Sequence, residues 1–184
     1  MTKTTSTTVD IRPATPADRP AVERLWLMFR HDLSEFDTAA EPQLPNPDGT
    51  FRSERVDAAF GGGGDDWAPY LFVRGERPVG FAFVRGLGGA ARVLNSFFVV
   101  RGIRRGGVGL RAVREVVARH PGCWEIAFQD ANPGAVAFWR RVGEDLAPGE
   151  WNEERRPVPG RADLPPDVWI SFGYGKAVEA GLEV

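Results

Sequence analysis

Nine consecutive residues constrain this chain more than any others. Arg101-Gly102-Ile103-Arg104-Arg105-Gly106-Gly107-Val108-Gly109 stand between an apolar run at 93–100 and a helix-forming stretch that begins near Val108. Three glycines within four positions leave no side chain over the backbone, so successive N–H groups can converge on anionic oxygens, and the N-terminus of the following helix adds the positive end of its dipole. The run before the turn is apolar nearly throughout, interrupted only by Asn95 and Ser96, as in a central strand buried on both faces. A strand, such a turn and then a helix make a cradle for a diphosphate.

Spacing narrows the ligand. A nucleotide-hydrolase phosphate loop needs Gly-x-x-x-x-Gly-Lys-Ser/Thr, and no lysine lies between Lys3 and Lys176. The dinucleotide fingerprint is a closer competitor: Gly107-Val108-Gly109-Leu110-Arg111-Ala112 satisfies Gly-x-Gly-x-x-Ala, and Asp130 follows at about the 20-residue distance expected of a ribose-binding acid. In that motif the first glycine turns the chain straight off the strand, whereas here residues 101–106 separate Val100 from Gly107. The spacing counts against a dinucleotide-dependent oxidoreductase, which remains a third alternative.

The segment more closely resembles the acetyl-coenzyme A signature of the GCN5-related N-acetyltransferase (GNAT) family, Arg/Gln-x-x-Gly-x-Gly/Ala, matched by Arg104-Arg105-Gly106-Gly107-Val108-Gly109. A second family element follows in the right order. A strand at 124–129 leads into Asn132-Pro133-Gly134-Ala135-Val136-Ala137-Phe138-Trp139, with Gly143 after it. The resemblance covers roughly residues 9–172 and implies an α/β fold, a central mixed sheet flanked by helices. Gly80-Phe81-Ala82 and the Phe138-Trp139 pair are similar to a little-characterised subgroup of predicted acetyltransferases within the family.

The same resemblance implies that acetyl-CoA is the co-substrate. Its phosphates would rest on Arg104, Arg105, Gly106, Gly107, Val108 and Gly109, its arm on the backbone of Phe97, Phe98 and Val99, and its remaining contacts on Asn132, Phe138 and Trp139. The Val99 N–H would polarise the thioester carbonyl for direct attack, in a ternary complex, by an amine of a small molecule or peptide. Many members carry a tyrosine at the position of Trp139 to protonate the leaving thiolate. An indole is no useful proton donor at neutral pH, so the thiolate leaves unprotonated or draws a proton from water or Tyr70. For the general base, Glu125 is chemically able, although a strand glutamate is more often an ion-pair member. Asn95 has the strand parity of Val99 and would orient substrate or water. Asp32, Glu35 and Asp37 at the end of the first helix would attract a cationic amine unless they form a solvated helix surface. The missing tyrosine and the unclear base keep open a second function class, an acetyl-CoA-binding sensor or accessory domain without turnover.

Whole-chain properties set the remaining bounds. A length of 184 residues, 42% of them apolar, suits a single domain, expected at 9–172 between a loose N-terminus at 1–8 and a tail at 173–184. The net charge of −2 predicts no nucleic-acid or membrane partner, although Arg101, Arg104, Arg105, Arg111 and Arg114 form a local positive cluster suited to clamping phosphates. The single cysteine, Cys123, reads as a small core residue, and His31 and His120 have no ligand spacing, so no metal is expected. The absence of an apolar leader or spanning stretch predicts a cytoplasmic protein.

Patterning predicts strands at 9–13, 70–74, 79–85, 93–100, 123–129, 146–152 and 168–172. Helices are expected from Ala17 through Phe36 with a stripe at Ala21, Leu25, Met28 or Phe29, and Leu33, then at 51–60, from Val108 to His120, and at 134–142. Residues 41–49 read as a loop, Gly61 to Gly64 as a surface connection, and 153–166 as a long loop or lid. Pairing of the last strand with a second copy would make a homodimer.

Overall fold

Residues 8–37 and 43–175 are described in the computed structural model, and alternation along seven strands organises them. The strands are β1 (Val9–Pro13), β2 (Trp67–Arg74), β3 (Arg77–Arg85), β4 (Ala91–Val99), β5 (Gly122–Phe128), β6 (Trp151–Arg156) and β7 (Asp167–Tyr174), in the spatial order β1-β2-β3-β4-β5-β7-β6. Every neighbouring pair is antiparallel except β4 and β5. Four helices accompany them: α1 (Arg19–Ser34), α2 (Glu54–Asp57), α3 (Val108–Ala118) and α4 (Pro133–Leu146). The α/β mixed sheet flanked by helices is therefore the observed architecture. The expected looseness of residues 1–7 and 176–184, and the start of the 41–49 loop, fall outside the described residues.

Because successive strand side chains point to opposite faces, the sheet makes two cores. On one face Ile11, Phe72, Ala82, Leu94, Trp124, Ile126 and Ile170 pack against Ala112, Val113, Val116 and Val117 of α3 and Trp139 and Val142 of α4. On the other, Leu71, Phe81, Phe83 and Phe98 pack against Val22, Leu25 and Trp26 of α1 and Val56 of α2. Each large side chain so buried contributes roughly 1.5–3 kcal/mol. The α1 stripe keeps the expected Leu25 and Phe29 but takes Val22 in place of Ala21 and adds Trp26, while Met28 is 44% exposed. Trp26 decides the change, since its ring stacks with Phe83 and its indole N–H donates to the Arg52 carbonyl at 2.9 Å.

Four further expectations change. The helix predicted at 134–142 runs on to Leu146, so the following strand starts at Trp151 rather than Leu146. Gly143 makes this possible, because a Cβ there would lie 2.7 Å from the Trp151 ring that packs across it. Residues 153–156, expected in the lid, belong to β6, and the loop is confined to 157–166. Charged side chains on both faces of an edge strand look like a loop in sequence. β7 is held by β5 on one side and β6 on the other, so the last strand has no free edge for a second copy. Cys123, expected in the core, is only partly buried, since its parity turns it away from α4.

The entry to α1 is fixed electrostatically. Asp18 accepts two hydrogen bonds from the Arg12 guanidinium at 2.8 Å each and further ones from the Thr15 N–H and hydroxyl at 2.8 Å, and these hold its carboxyl far below the usual carboxylate range. A depressed folded-state pKa stabilises above the unfolded value and is lost as the pH falls through the folded one. Asp18→Ala is expected to cost about 1–2 kcal/mol at pH 7. Urea unfolding should show the deficit constant down to about pH 5 and narrowing below about pH 4, where the unfolded-state carboxyl takes up a proton; a deficit unchanged at about pH 3 would contradict it.

Candidate active site

β4 and β5 pair only where Ala91, Arg92 and Val93 meet Cys123, Trp124 and Glu125. Beyond that point the strands part, and 94–99 keep a partner on β3 alone. The Val100 N–H donates to the Val79 carbonyl at 2.9 Å, which sets the alternation: Phe98 directs its peptide groups toward β3, and Phe97 and Val99 direct theirs into the gap. Of the three residues expected to present backbone to an arm, Phe98 is thus committed to the sheet. Gly80 permits the close approach of β3, since a Cβ there would sit 2.4 Å from the Phe98 carbonyl oxygen.

The gap runs into the glycine turn. Arg101–Gly106 form a 3₁₀ turn rather than open chain, and Gly107, at φ 73°, takes the left-handed conformation that starts α3. The Arg111 N–H returns to the Gly107 carbonyl at 3.1 Å. Val108, Gly109 and Leu110, as the first residues of the helix, aim their N–H groups out of its end. The free amides are accordingly concentrated at 108–110, not spread over 104–109. A Cβ on Gly109 would lie 3.2 Å from the Phe138 ring, so glycine keeps this end of the gap clear. Behind it Phe97 stacks on Phe138 with centroids 5.9 Å apart and meets Trp139 edge-on at 5.4 Å. Trp139 is 8% exposed and belongs to the core. Asn132 caps α4, its Oδ1 accepting from the Ala135 N–H at 3.0 Å.

The positive cluster is largely spent inside the protein. Arg104 donates from Nε to the Val99 carbonyl at 2.7 Å, bonds Asp32 through Nη2, and lies over the Phe98 ring at 5.5 Å. Arg101 bonds Asp32 at 3.0 Å and Glu35 at 3.3 Å. Arg111 takes Glu115 and the Val9 carbonyl, and Arg114 takes Asp145. Arg105 is exposed and has no such partner among the described residues. Asp32 and Glu35 are therefore anchors of the turn rather than open attractants for a cation. Partial burial pushes the Asp32 carboxyl up, but its hydrogen bonds from Arg101 and Arg104 outweigh this and hold it below its ordinary range. Between α1 and the end of β4 lies a recess of about 500 Å³ lined by Leu27, Met28, His31, Phe51, Phe98 and Val100.

On the α1 and α2 side of the gap stand the candidates for handling an acceptor. Glu125 accepts from Arg156 at 2.9 Å, and that guanidinium also bonds Glu154 and lies 4.7 Å over the Trp169 ring. Asn95 is the extra residue of a bulge, between Phe83 paired with Ser96 and Val84 paired with Leu94, so parity with Val99 does not by itself fix its side. Its Oδ1 accepts from the Ser96 hydroxyl at 3.3 Å. Tyr70 lies elsewhere: it is 3% exposed, with its hydroxyl 2.6 Å from His120 Nε2 just past the C-terminal end of α3, a helix roughly 16 Å long, away from the glycine turn. Its placement makes it a buried structural partner of His120 and not a donor to a leaving group at the turn. Arg55, Asp167 and Trp169 were missed in the sequence; the alternation at 167–171 was the available signal for the last two. No group of three or more His, Cys, Asp or Glu suited to a metal occurs among the described residues. The dinucleotide alternative requires a doubly wound parallel sheet, and this sheet has one short parallel pair.

Comparison with known proteins agrees with this geometry. No curated protein matches the sequence. Solved structures share the fold at low identity: an acetyltransferase from Thermus thermophilus (TM-score 0.63, 18% identity, covering 92% of this chain and 99% of that one) and the ribosomal-protein-S18-alanine N-acetyltransferase of Escherichia coli (TM-score 0.62, 14% identity, 96% and 100%). A third is a diaminobutyrate acetyltransferase from Paenibacillus lautus, solved with L-2,4-diaminobutyric acid and coenzyme A (TM-score 0.63, 14% identity, 91% and 96%). The model of the acetyltransferase (GNAT) family matches residues 26–143, which take in the later part of α1, the parted strands, the glycine turn and most of α4, and the chain belongs to that family.

Proposed function

We propose that this chain is an N-acetyltransferase that uses acetyl-CoA to acetylate an amine of a small molecule or peptide by direct attack in a ternary complex. The observation that carries the reading is the parting of β4 from β5, with the Phe97 peptide groups and the Val99 N–H left without a strand partner and leading directly to the bare helix end at Val108, Gly109 and Leu110. When bound, acetyl-CoA supplies a thioester carbonyl already activated toward an amine. Phosphates would meet the N–H groups at 108–110 and the Arg105 side chain, the one guanidinium of the turn left without an internal partner among the described residues.

The chain's own groups then have separate tasks. The Val99 N–H is the donor for developing oxyanion charge, and Arg104, bonded to the carbonyl of the same residue, fixes its orientation. Phe97, Phe138 and Trp139 wall the gap and exclude water. Glu125 has one oxygen on Arg156, and its other oxygen, directly or through a water, is our candidate to take the amine proton. The sensor alternative is favoured by one specific observation, that Glu125 is tied to Arg156 while Trp139 supplies no acid. Incubation with acetyl-CoA and an amine panel, followed by free-thiol release, separates the two: thermal stabilisation without thiol release would select the sensor. No described helix is long and apolar enough to cross a membrane, and the setting we propose is the cytoplasm.

Two variants test the assignment. Trp139→Phe should keep kcat within about tenfold at saturating acetyl-CoA, because the indole walls the gap and moves no proton; a loss of about a thousandfold with unchanged cofactor binding would contradict this. Gly109→Val should place its branched side chain against Phe138 and weaken acetyl-CoA by at least about tenfold, the equivalent of about 1.4 kcal/mol, in a calorimetric titration with the circular dichroism spectrum unchanged. Equal affinity in the variant would place the ligand elsewhere.

A further inference from the structure

The gap between β4 and β5 closes at Val93 and Glu125, and Arg55 stands beside that vertex without a carboxylate partner among the described residues. Arg55, carried by α2, brings Nη1 to 3.5 Å from the carbonyl oxygen of Asn95, the bulged residue two positions past the last β4 pairing with β5. Among the described residues no carboxylate lies within ion-pair distance of it. Arg156, on the same face, by contrast holds Glu125 and Glu154. Arg55 feels repulsion from Arg30 and Arg85 and longer-range attraction from Asp167 and Glu54. The residue as a whole is exposed. Protein nevertheless crowds the guanidinium, and burial together with the two like charges pushes its pKa down. A cation held at such a cost is relieved by an anion brought in from outside.

The surroundings say which molecule brings that anion. α1 and α2 pack on β2, β3 and β4, and no residue of β5, β6 or β7 joins their core. The adjoining half of the same face is left to Glu125, Arg156, Asp167 and Trp169, the two acids among them able to face an ammonium group. Asp167 is partly buried, which pushes its carboxyl up, against the pull of Arg55. An acceptor entering here meets a fork-shaped cation at the vertex and carboxylates across from it. We infer that the acceptor carries a carboxylate beside its amine, as an amino acid does, and that Arg55 receives that carboxylate. The inference rests on the acetyl-transfer reading and adds the acceptor class to it. A planar guanidinium pairs with a carboxylate through two parallel hydrogen bonds, a geometry that a lysine ammonium cannot reproduce.

The test compares the common amino acids with the matching amino-acid amides as acceptors, reading free-thiol release, with thermal stabilisation by acetyl-CoA measured alongside. In the unaltered protein the best acid should exceed its amide in kcat/KM by at least about tenfold. In Arg55→Gln that ratio should collapse to within about twofold, and Arg55→Lys should recover part of it. Stabilisation by acetyl-CoA should be the same in all three proteins. Amides used as well as acids, a ratio preserved in Arg55→Gln, or acetyl-CoA binding with no transfer to any amino acid would each overturn the inference while leaving the cofactor assignment standing. Absence of stabilisation by acetyl-CoA in the unaltered protein is a different failure: it removes the acetyl-transfer reading and the inference with it.

Discussion

Three parallel pairings between β4 and β5, followed by separation, are the constraint on which the rest of this structure depends. A strand that leaves one edge unpaired in the interior has unsatisfied N–H and C=O groups, each costing about as much as a lost hydrogen bond. The fold tolerates this because both strands are held on their outer sides, β4 by β3 over nearly its whole length and β5 by β7 throughout. The bulge at Asn95 interrupts the β3–β4 ladder close to where the strands divide, and bulges sharpen local twist. Phe97, Phe138 and Trp139 then fill the space beneath the gap, so its two walls are propped by packed aromatic rings. The edge left open is the one to which our proposal assigns the amide-bearing arm of acetyl-CoA.

The arginines of the turn show how charge is divided between building a site and occupying it. Summed along the sequence, five guanidiniums near three glycines look like a phosphate clamp. In three dimensions Arg101 and Arg104 cross to Asp32 and Glu35 at the end of α1, and Arg111 and Arg114 are taken up by Glu115 and Asp145. Exposed pairs of this kind contribute little stability, at most about 1 kcal/mol each. Their value is positional. Arg104 reaches the Val99 carbonyl as well as Asp32, so one side chain sets the end of β4, the entry to the turn and the end of α1 relative to one another.

Local chemistry was legible and long-range chemistry was not. The glycine turn, the β2–β3 hairpin, the buried strand before the turn and the Asn132 cap all depend on neighbours a few residues away, and each lies where its pattern places it. On α1 the expected Leu25 and Phe29 face the sheet, but Val22 takes the place expected of Ala21 and Trp26 joins them, and β6 reads as loop because a solvated edge strand has no apolar face to reveal it. The partners of Asp32 and Glu35 lie nearly seventy positions away, as separations of 69 and 66 residues record, and nothing in the local pattern of α1 announces them. Tyr70 illustrates the same limit, since its role was set by His120, fifty positions further on.

This division also explains why the family signature is silent on the acceptor. The turn and α4 contribute contiguous stretches and carry the features shared by proteins that handle one cofactor, whereas the face beyond the vertex is assembled from a short helix at 54–57, a bulge at 95, a central strand at 125 and the last strand at 167–169. Each segment meets its own folding demands: Val56 of α2 is buried, Trp124 and Ile126 flank Glu125 in the core, and Val168 follows Asp167 into it. The residues between those buried positions point the other way and are free to vary without disturbing either core. Chemistry placed there is constrained by what the acceptor is rather than by how the chain folds, and on our inference Arg55 and Asp167, which attract each other at longer range without an ion pair, are where the acceptor is read.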